Sequence, residues 1–199
     1  PVTHVVEKDW SQAAFFLAAG AISGQVCLHG LDEQSAQGDK EIVPLLRRFG
    51  ADIRATERGI ECRRARLHGI TIDAAQIPDL VPILCVAAAA AEGKTEIYNA
   101  GRLRMKESDR LAVMAECMQK IGVEVEERPD SIIITGGCNP PEGEIVIDSH
   151  NDHRIVMAMA IAAVSLGVEL TILGAEAVNK SYPSFFIELA KLGGVTNVL

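Results

Sequence analysis

Positive charge is in short supply. The chain of 199 residues sets 19 Lys and Arg against 27 Asp and Glu, a formal net charge of −8. An extended polyanion such as nucleic acid needs a basic face, so that class of partner is not expected. Aromatic residues make up only 4%, while Ala, Val, Ile and Leu abound, which suits helices packed closely on sheets. The longest apolar run, Leu80–Ala91, holds 12 residues and contains Pro82. That is short of the roughly 18 that span a bilayer, and no membrane segment is expected. The cysteines, Cys27, Cys62, Cys85, Cys117 and Cys138, are odd in number and lack CxxC or CxxH spacing. Neither a disulfide framework nor a zinc site is indicated, and the reading is a reducing cytoplasm. The opening PVTHVVEKD lacks the basic start and apolar core of a signal peptide. What is present, 48% hydrophobic and 23% charged residues, is ordinary for a globular chain able to bury one real core.

The punctuation repeats three times. Asp9-Trp-Ser-Gln, Asp73-Ala-Ala-Gln and Asp148-Ser-His-Asn each precede an apolar helical stretch, and the last two follow the strand-like GITID and EIVID. The apolar helices end near Gly24, Gly93 and Gly167, which lie 69 and 74 residues apart. A second helix in each unit ends at Gly50, Gly122 and Gly193, spaced by 72 and 71 residues. Repetition at one phase marks a repeated supersecondary unit. Each unit reads strand, helix, strand, helix, strand, strand, with boundaries at 1–68, 69–139 and 140–199. Ile42, Val43, Leu45, Leu46 and Phe49 give one second helix an apolar stripe at helical spacing, as do Leu111, Met114, Met118 and Ile121 in the next. VEVEER and SIIIT predict a hairpin across Pro129-Asp130, matching ADIRATER and IECRR. The third unit ends at GVTNV, one strand short. The first helices, such as AAFFLAAGAI and IVMAMAIAAV, are apolar almost all round, so they belong together inside with the strands outside. The fold class is therefore α/β: three βαβαββ units about a pseudo-threefold axis, helices inside and sheets outside.

On this frame the notable polar residues fall at helix starts. Asp79 opens the first helix of unit two, and His153 and Arg154 open that of unit three. Lys106, Glu107 and Arg110 open the second helix of unit two, and Lys180 precedes that of unit three. Around a pseudo-threefold axis, equivalent helices point the same way. Their N-termini, each with about half a positive charge and free N–H donors, would then gather into an anion site sharpened by four cations. The net charge does not oppose this, since distant charges are screened within about 10 Å. Each motif taken alone has a plainer explanation. KESDR reads as a solvated salt-bridge cluster, and Asp79 as a helix-start carboxylate. In NDHR, Ser149 and Asp152 read as a capping box with His153 at the surface. His4, His29, His68 and His150 show no ligand spacing, and no metal is expected. The joint placement is what favours a site.

The string NAGRLRMKESDRL, with IPDL before it, NDHRIVMA after it and NKSYPSFF near the end, resembles the 5-enolpyruvylshikimate-3-phosphate synthases (3-phosphoshikimate 1-carboxyvinyltransferases) in their C-terminal lobe. DWSQAAFFLAA and SAQGD are similar to that family's motifs, and the likeness runs in order from residue 3 to residue 194. The resemblance implies a two-lobed enzyme, each lobe an inside-out assembly of three such units. The implied reaction moves the enolpyruvyl group of phosphoenolpyruvate to the 5-hydroxyl of shikimate 3-phosphate, releasing phosphate, with no metal or organic cofactor. It also implies roles. Asp79 accepts the proton of the shikimate hydroxyl, Glu107 protonates the methylene carbon, and Lys106 touches shikimate 3-phosphate. Arg110 and Arg154 hold the carboxylate of phosphoenolpyruvate, and Lys180 its phosphate. Arginine's planar fork matches a carboxylate, whereas lysine offers a movable point charge.

No counterpart of the family's other lobe lies within these residues. The expectation is a C-terminal lobe whose fold persists but which has no turnover alone, with the N-terminal lobe as partner. In the family an N-terminal segment returns to complete this lobe, consistent with the strand missing from unit three. Two rival readings are a lobe of the sister transferase acting on UDP-N-acetylglucosamine, and a non-catalytic anion-binding module of the same fold.

Overall fold

The computed structural model describes residues 6–197. Among the described residues six α-helices run as α1 (Trp10–Ser23), α2 (Ile42–Phe49), α3 (Val81–Ala90), α4 (Arg110–Lys120), α5 (His153–Leu166) and α6 (Phe185–Lys191). The strands are β1 (Gln25–Leu28), β2 (Asp52–Thr56), β3 (Gly59–Arg63), β4 (Thr71–Asp73), β5 (Lys94–Tyr98), β6 (Glu124–Arg128), β7 (Ser131–Thr135), β8 (Val146–Asp148) and β9 (Thr171–Leu173). They form three sheets, ordered β1-β3-β2, β4-β5-β7-β6 and β8-β9. β4 and β8 pair in parallel with β5 and β9, with α3 and α5 as the crossovers that parallel pairing demands. The expected hairpins form antiparallel at β2–β3 and β6–β7.

The unit openings repeat in atomic detail. The Oδ1 atoms of Asp9, Asp73 and Asp148 accept from the backbone N–H groups of Ser11, Ala75 and His150 at 2.8, 3.0 and 2.8 Å. Each is an aspartate turn that bends the chain from extended backbone toward a helix. The next residue in units two and three then bonds across its sheet, Ala74 N–H to Tyr98 C=O and Ser149 N–H to Leu173 C=O.

The interior is where the composition places it. α1, α3 and α5 pack against one another, with Val81 to Ala89 and His153 to Ala162 buried throughout. Ala-rich faces let these axes approach closely, and the aromatic residues concentrate beside them. The ring of Phe185 lies 6.4, 5.6, 5.8 and 5.3 Å from those of Phe15, Phe16, Tyr182 and Phe186. The short strands β4 and β8 bury only their central isoleucines, Ile72 and Ile147, as sheets with one face outward require.

Two expectations about chain path are corrected. Residues 194–197 of GVTNV form no strand, its last residue lying outside the described residues, and among the described residues no strand follows α6. β3 and β7 each form with a partner hairpin strand, and a lone segment has nothing to pair with. The strand expected before α1 falls mainly on residues 1–5, outside the described residues. The second-helix glycines hold: Gly50, Gly122 and Gly193 all have positive φ. At Gly122, with φ +78°, an added Cβ would also sit 1.8 Å from the Asn139 carbonyl oxygen. Gly122→Ala is expected to destabilise by at least about 2 kcal/mol, strain and clash combined, read from the urea midpoint.

Candidate active site

Four segments, two from unit two and two from unit three, meet at one end of the buried helices. Asp79 sits in a single 3-10 turn, Pro78–Leu80, just before α3. Arg110 is the first residue of α4, capped by Asp109, and Arg154 is the second residue of α5, capped by Asp152. Lys106 and Glu107 do not open the helix as their spacing suggested. They lie in the loop between the 3-10 turn Gly101–Met105 and α4, because Asp109 takes the cap and starts the helix after them. Lys180 ends the 3-10 helix Ala175–Lys180, and its ammonium donates to the Asn151 carbonyl in the turn leading into α5.

Arg110 organises the site. Its side chain is fully buried, and Nε donates to Asp152 Oδ2 at 2.9 Å, Nη1 to Asp79 Oδ1 at 2.9 Å and Nη2 to Glu107 Oε2 at 2.5 Å. Arg154 reaches Asp79 Oδ2 at 3.2 Å through Nη2, which also donates to Ser11 Oγ at 3.0 Å. Lys106 Nζ stands 3.4 Å from Asp79 Oδ1. Three cations thus converge on one half-buried carboxylate. Burial by itself would push the Asp79 carboxyl up, but Arg154, Lys106 and Arg110 outweigh it and hold the group below its ordinary value.

The helix-start amides contribute less than expected, because acids already occupy them. Asp109 accepts from Ala112 N–H at 3.1 Å, and Asp152 accepts from Arg154 N–H at 2.9 Å. The side-chain cations are therefore the main attraction for an anion here. Asp152 is itself the cap of α5, not the far member of a box begun by Ser149. It is completely buried, with Ser108 Oγ donating at 3.1 Å besides Arg110. Burial raises its carboxyl, and the hydrogen bonds and charge of Arg110 overcome that to leave it below its ordinary value. His153 is not on the surface but 7% exposed, with Nδ1 buried and without a hydrogen-bond partner among the described residues. Desolvation and then Arg154 hold its imidazole below its ordinary value. Among the described residues no group of His, Cys, Asp and Glu is arranged to hold a metal ion, and no helix is long and apolar enough to cross a membrane.

Sequence reasoning passed over three residues that the fold brings here. Ser11, in DWSQ, receives Arg154 while donating to Asp9. Asp152, which the sequence offers only as the far member of a capping box, is the buried partner of Arg110. Asp39, in SAQGD, lies in the 3-10 turn Gly38–Glu41 before α2. Burial, then the nearby charge of Asp79, pushes the Asp39 carboxyl up to about 6, against Arg154 and Lys106. A carboxyl raised in the fold favours folding at low pH, and that contribution is lost as pH rises through the folded value. Asp39→Asn is therefore expected to remove a decline in stability between about pH 4 and pH 6, seen in urea unfolding across that range.

The chain from residue 1 to residue 189 matches the family model for EPSP synthase (3-phosphoshikimate 1-carboxyvinyltransferase). It is 49% identical over 191 residues to the 3-phosphoshikimate 1-carboxyvinyltransferase of Clostridium acetobutylicum, covering 96% of this chain and 44% of that protein. To the protein of the same name from Clostridium novyi it is 47% identical over 190 residues, covering 96% and 43%. The chain thus spans somewhat under half the length of these curated relatives. Among solved structures, EPSP synthase from Acinetobacter baumannii superposes with a TM-score of 0.80 at 31% identity, covering 98% of this chain and 47% of that one. The enolpyruvyl transferase NikO from Streptomyces tendae, at 18% identity and a TM-score of 0.77, shares the fold. With the ordered motifs and three-sheet architecture above, these matches place the chain in the EPSP synthase (3-phosphoshikimate 1-carboxyvinyltransferase) family.

Proposed function

We propose that this chain is one lobe, built of units 1–68, 69–139 and 140–199, of an enzyme that transfers the enolpyruvyl group of phosphoenolpyruvate to the 5-hydroxyl of shikimate 3-phosphate, in the cytoplasm. The observation that carries the reading is the meeting of Asp79 and Glu107 on the buried Arg110, with Arg154 and Lys106 on the same carboxylate. Two acids and several cations in one place are what the chemistry requires. A proton from Glu107 converts the methylene of phosphoenolpyruvate to a methyl group and leaves cationic character on the neighbouring carbon. The hydroxyl oxygen bonds to that carbon and passes its proton to Asp79. Departure of phosphate, with loss of a methyl proton, restores the double bond on the new ether. Arg110 and Arg154 suit the substrate carboxylate, Lys180 its phosphate, and Lys106 shikimate 3-phosphate.

The second lobe, as partner, supplies the remaining binding groups and shuts out water when the lobes close. The test is phosphate release from phosphoenolpyruvate plus shikimate 3-phosphate. The 199-residue chain alone should give none, and the chain supplied with its other half should turn over. Turnover by the chain alone would sink the half-enzyme reading. No release by the joined halves, with UDP-N-acetylglucosamine tried as the alternative acceptor, would sink the assigned reaction.

A further inference from the structure

Three carboxylates already take four of the five N–H donors of Arg110. Its guanidinium is fully buried, and it is already bound by Asp152, Asp79 and Glu107 at 2.9, 2.9 and 2.5 Å. The three carboxylates differ in how firmly they are held. Asp152 is completely buried and caps α5. Asp79 is shared with Arg154 and Lys106. Glu107 has Arg110 as its one cation partner among the described residues, and its side chain is 42% exposed. An anion arriving from solvent at the Arg110 fork therefore meets one carboxylate that can leave. We propose that Glu107 occupies, in the substrate-free lobe, the seat of the incoming carboxylate, and that binding of a small carboxylate anion expels it and makes it take up a proton from solvent.

This rests on the enolpyruvyl-transfer reading and adds how its acid acquires the proton it must give. The surroundings support the exchange. Away from Arg110, Glu107 borders a cleft lined by Asp109 and Glu116 of the α4 segment and by His150 of the turn before α5. His153 of α5 lies near, its imidazole held below its ordinary value by burial and Arg154, while Lys106 is directed at Asp79. A carboxylate that loses its arginine, faces two acids and then an added anion is driven to protonate. The acid is thereby loaded when phosphoenolpyruvate arrives and not before.

Two measurements on the full-length protein carrying this lobe test the exchange, with shikimate 3-phosphate present and phosphoglycolate as the unreactive probe. Calorimetric titration at about pH 7.5, where the probe phosphate is already dianionic, is run in buffers of different ionisation enthalpy. The wild type should take up at least about 0.3 proton per bound anion, an uptake lost in Glu107→Gln and kept in Glu116→Gln. Removing the competing charge should also tighten binding in Glu107→Gln by about fivefold to tenfold. Heats independent of buffer, together with weaker binding in Glu107→Gln, would overturn the exchange and leave the reaction standing. Failure of the wild type to bind the probe at all would overturn both.

Discussion

Replacing Asp152 with alanine is expected to lower the unfolding free energy by about 3–5 kcal/mol, the cost of leaving one partner of a buried ion pair alone. The carboxylate and Arg110 are both fully buried, joined at 2.9 and 3.3 Å. The same carboxylate caps α5 through Arg154 N–H and accepts from Ser108, so its loss orphans donors on two helices at once. Asp152→Asn, which keeps an acceptor at the cap, should lose less. Urea unfolding of the chain followed by circular dichroism measures both, and a loss under about 1 kcal/mol in the alanine variant would mean that Arg110 finds water instead. The pH dependence carries the sign of a lowered carboxyl. The contribution of Asp152 is present above its unfolded value of about 4 and fades as pH falls through the still lower folded value. Asp39 acts in the opposite direction, lowering the stability of the substrate-free lobe as pH rises from about 4 to about 6.

Asp79→Asn should instead spare most of the fold and remove turnover. In the enzyme formed with the other half, kcat is expected to fall by about 10²- to 10⁴-fold, the usual contribution of a positioned general base. Asparagine keeps the size of the side chain and an acceptor for Arg110 and Arg154, but its amide cannot accept the hydroxyl proton. The cations that hold the Asp79 carboxyl below its ordinary value despite burial keep it ionised at neutral pH, the form a base needs. Steady-state kinetics on the joined halves, beside an unfolding curve, separate the two effects. A kcat within threefold of wild type would remove Asp79 from the proton-transfer step.

The residues that made the fold legible are those with local physics. Asp9, Asp73 and Asp148 make the same turn with a backbone N–H two residues on, so their repetition could be read without knowing any contact. Helices such as Val81–Ala90 announce burial because they have no polar face. Gly50 and Gly122 mark helix ends because positive φ suits glycine. GVTNV misled because a strand depends on its partner, which lies elsewhere in sequence. Lys106 and Glu107 misled because their spacing suited a helix that Asp109 starts later.

By itself the sequence determined the three-unit α/β plan, the buried helices and the presence of acids and cations near helix starts, since periodicity and backbone preference are properties of neighbouring residues. Only the tertiary structure decided who pairs with whom. Asp152 lies 42 residues from Arg110, and Ser11 lies 143 from Arg154. Burial at the meeting of α4 and α5 turned a capping aspartate into the counter-ion of the central arginine, because a guanidinium removed from water must find its acceptors among whatever side chains the fold brings within reach.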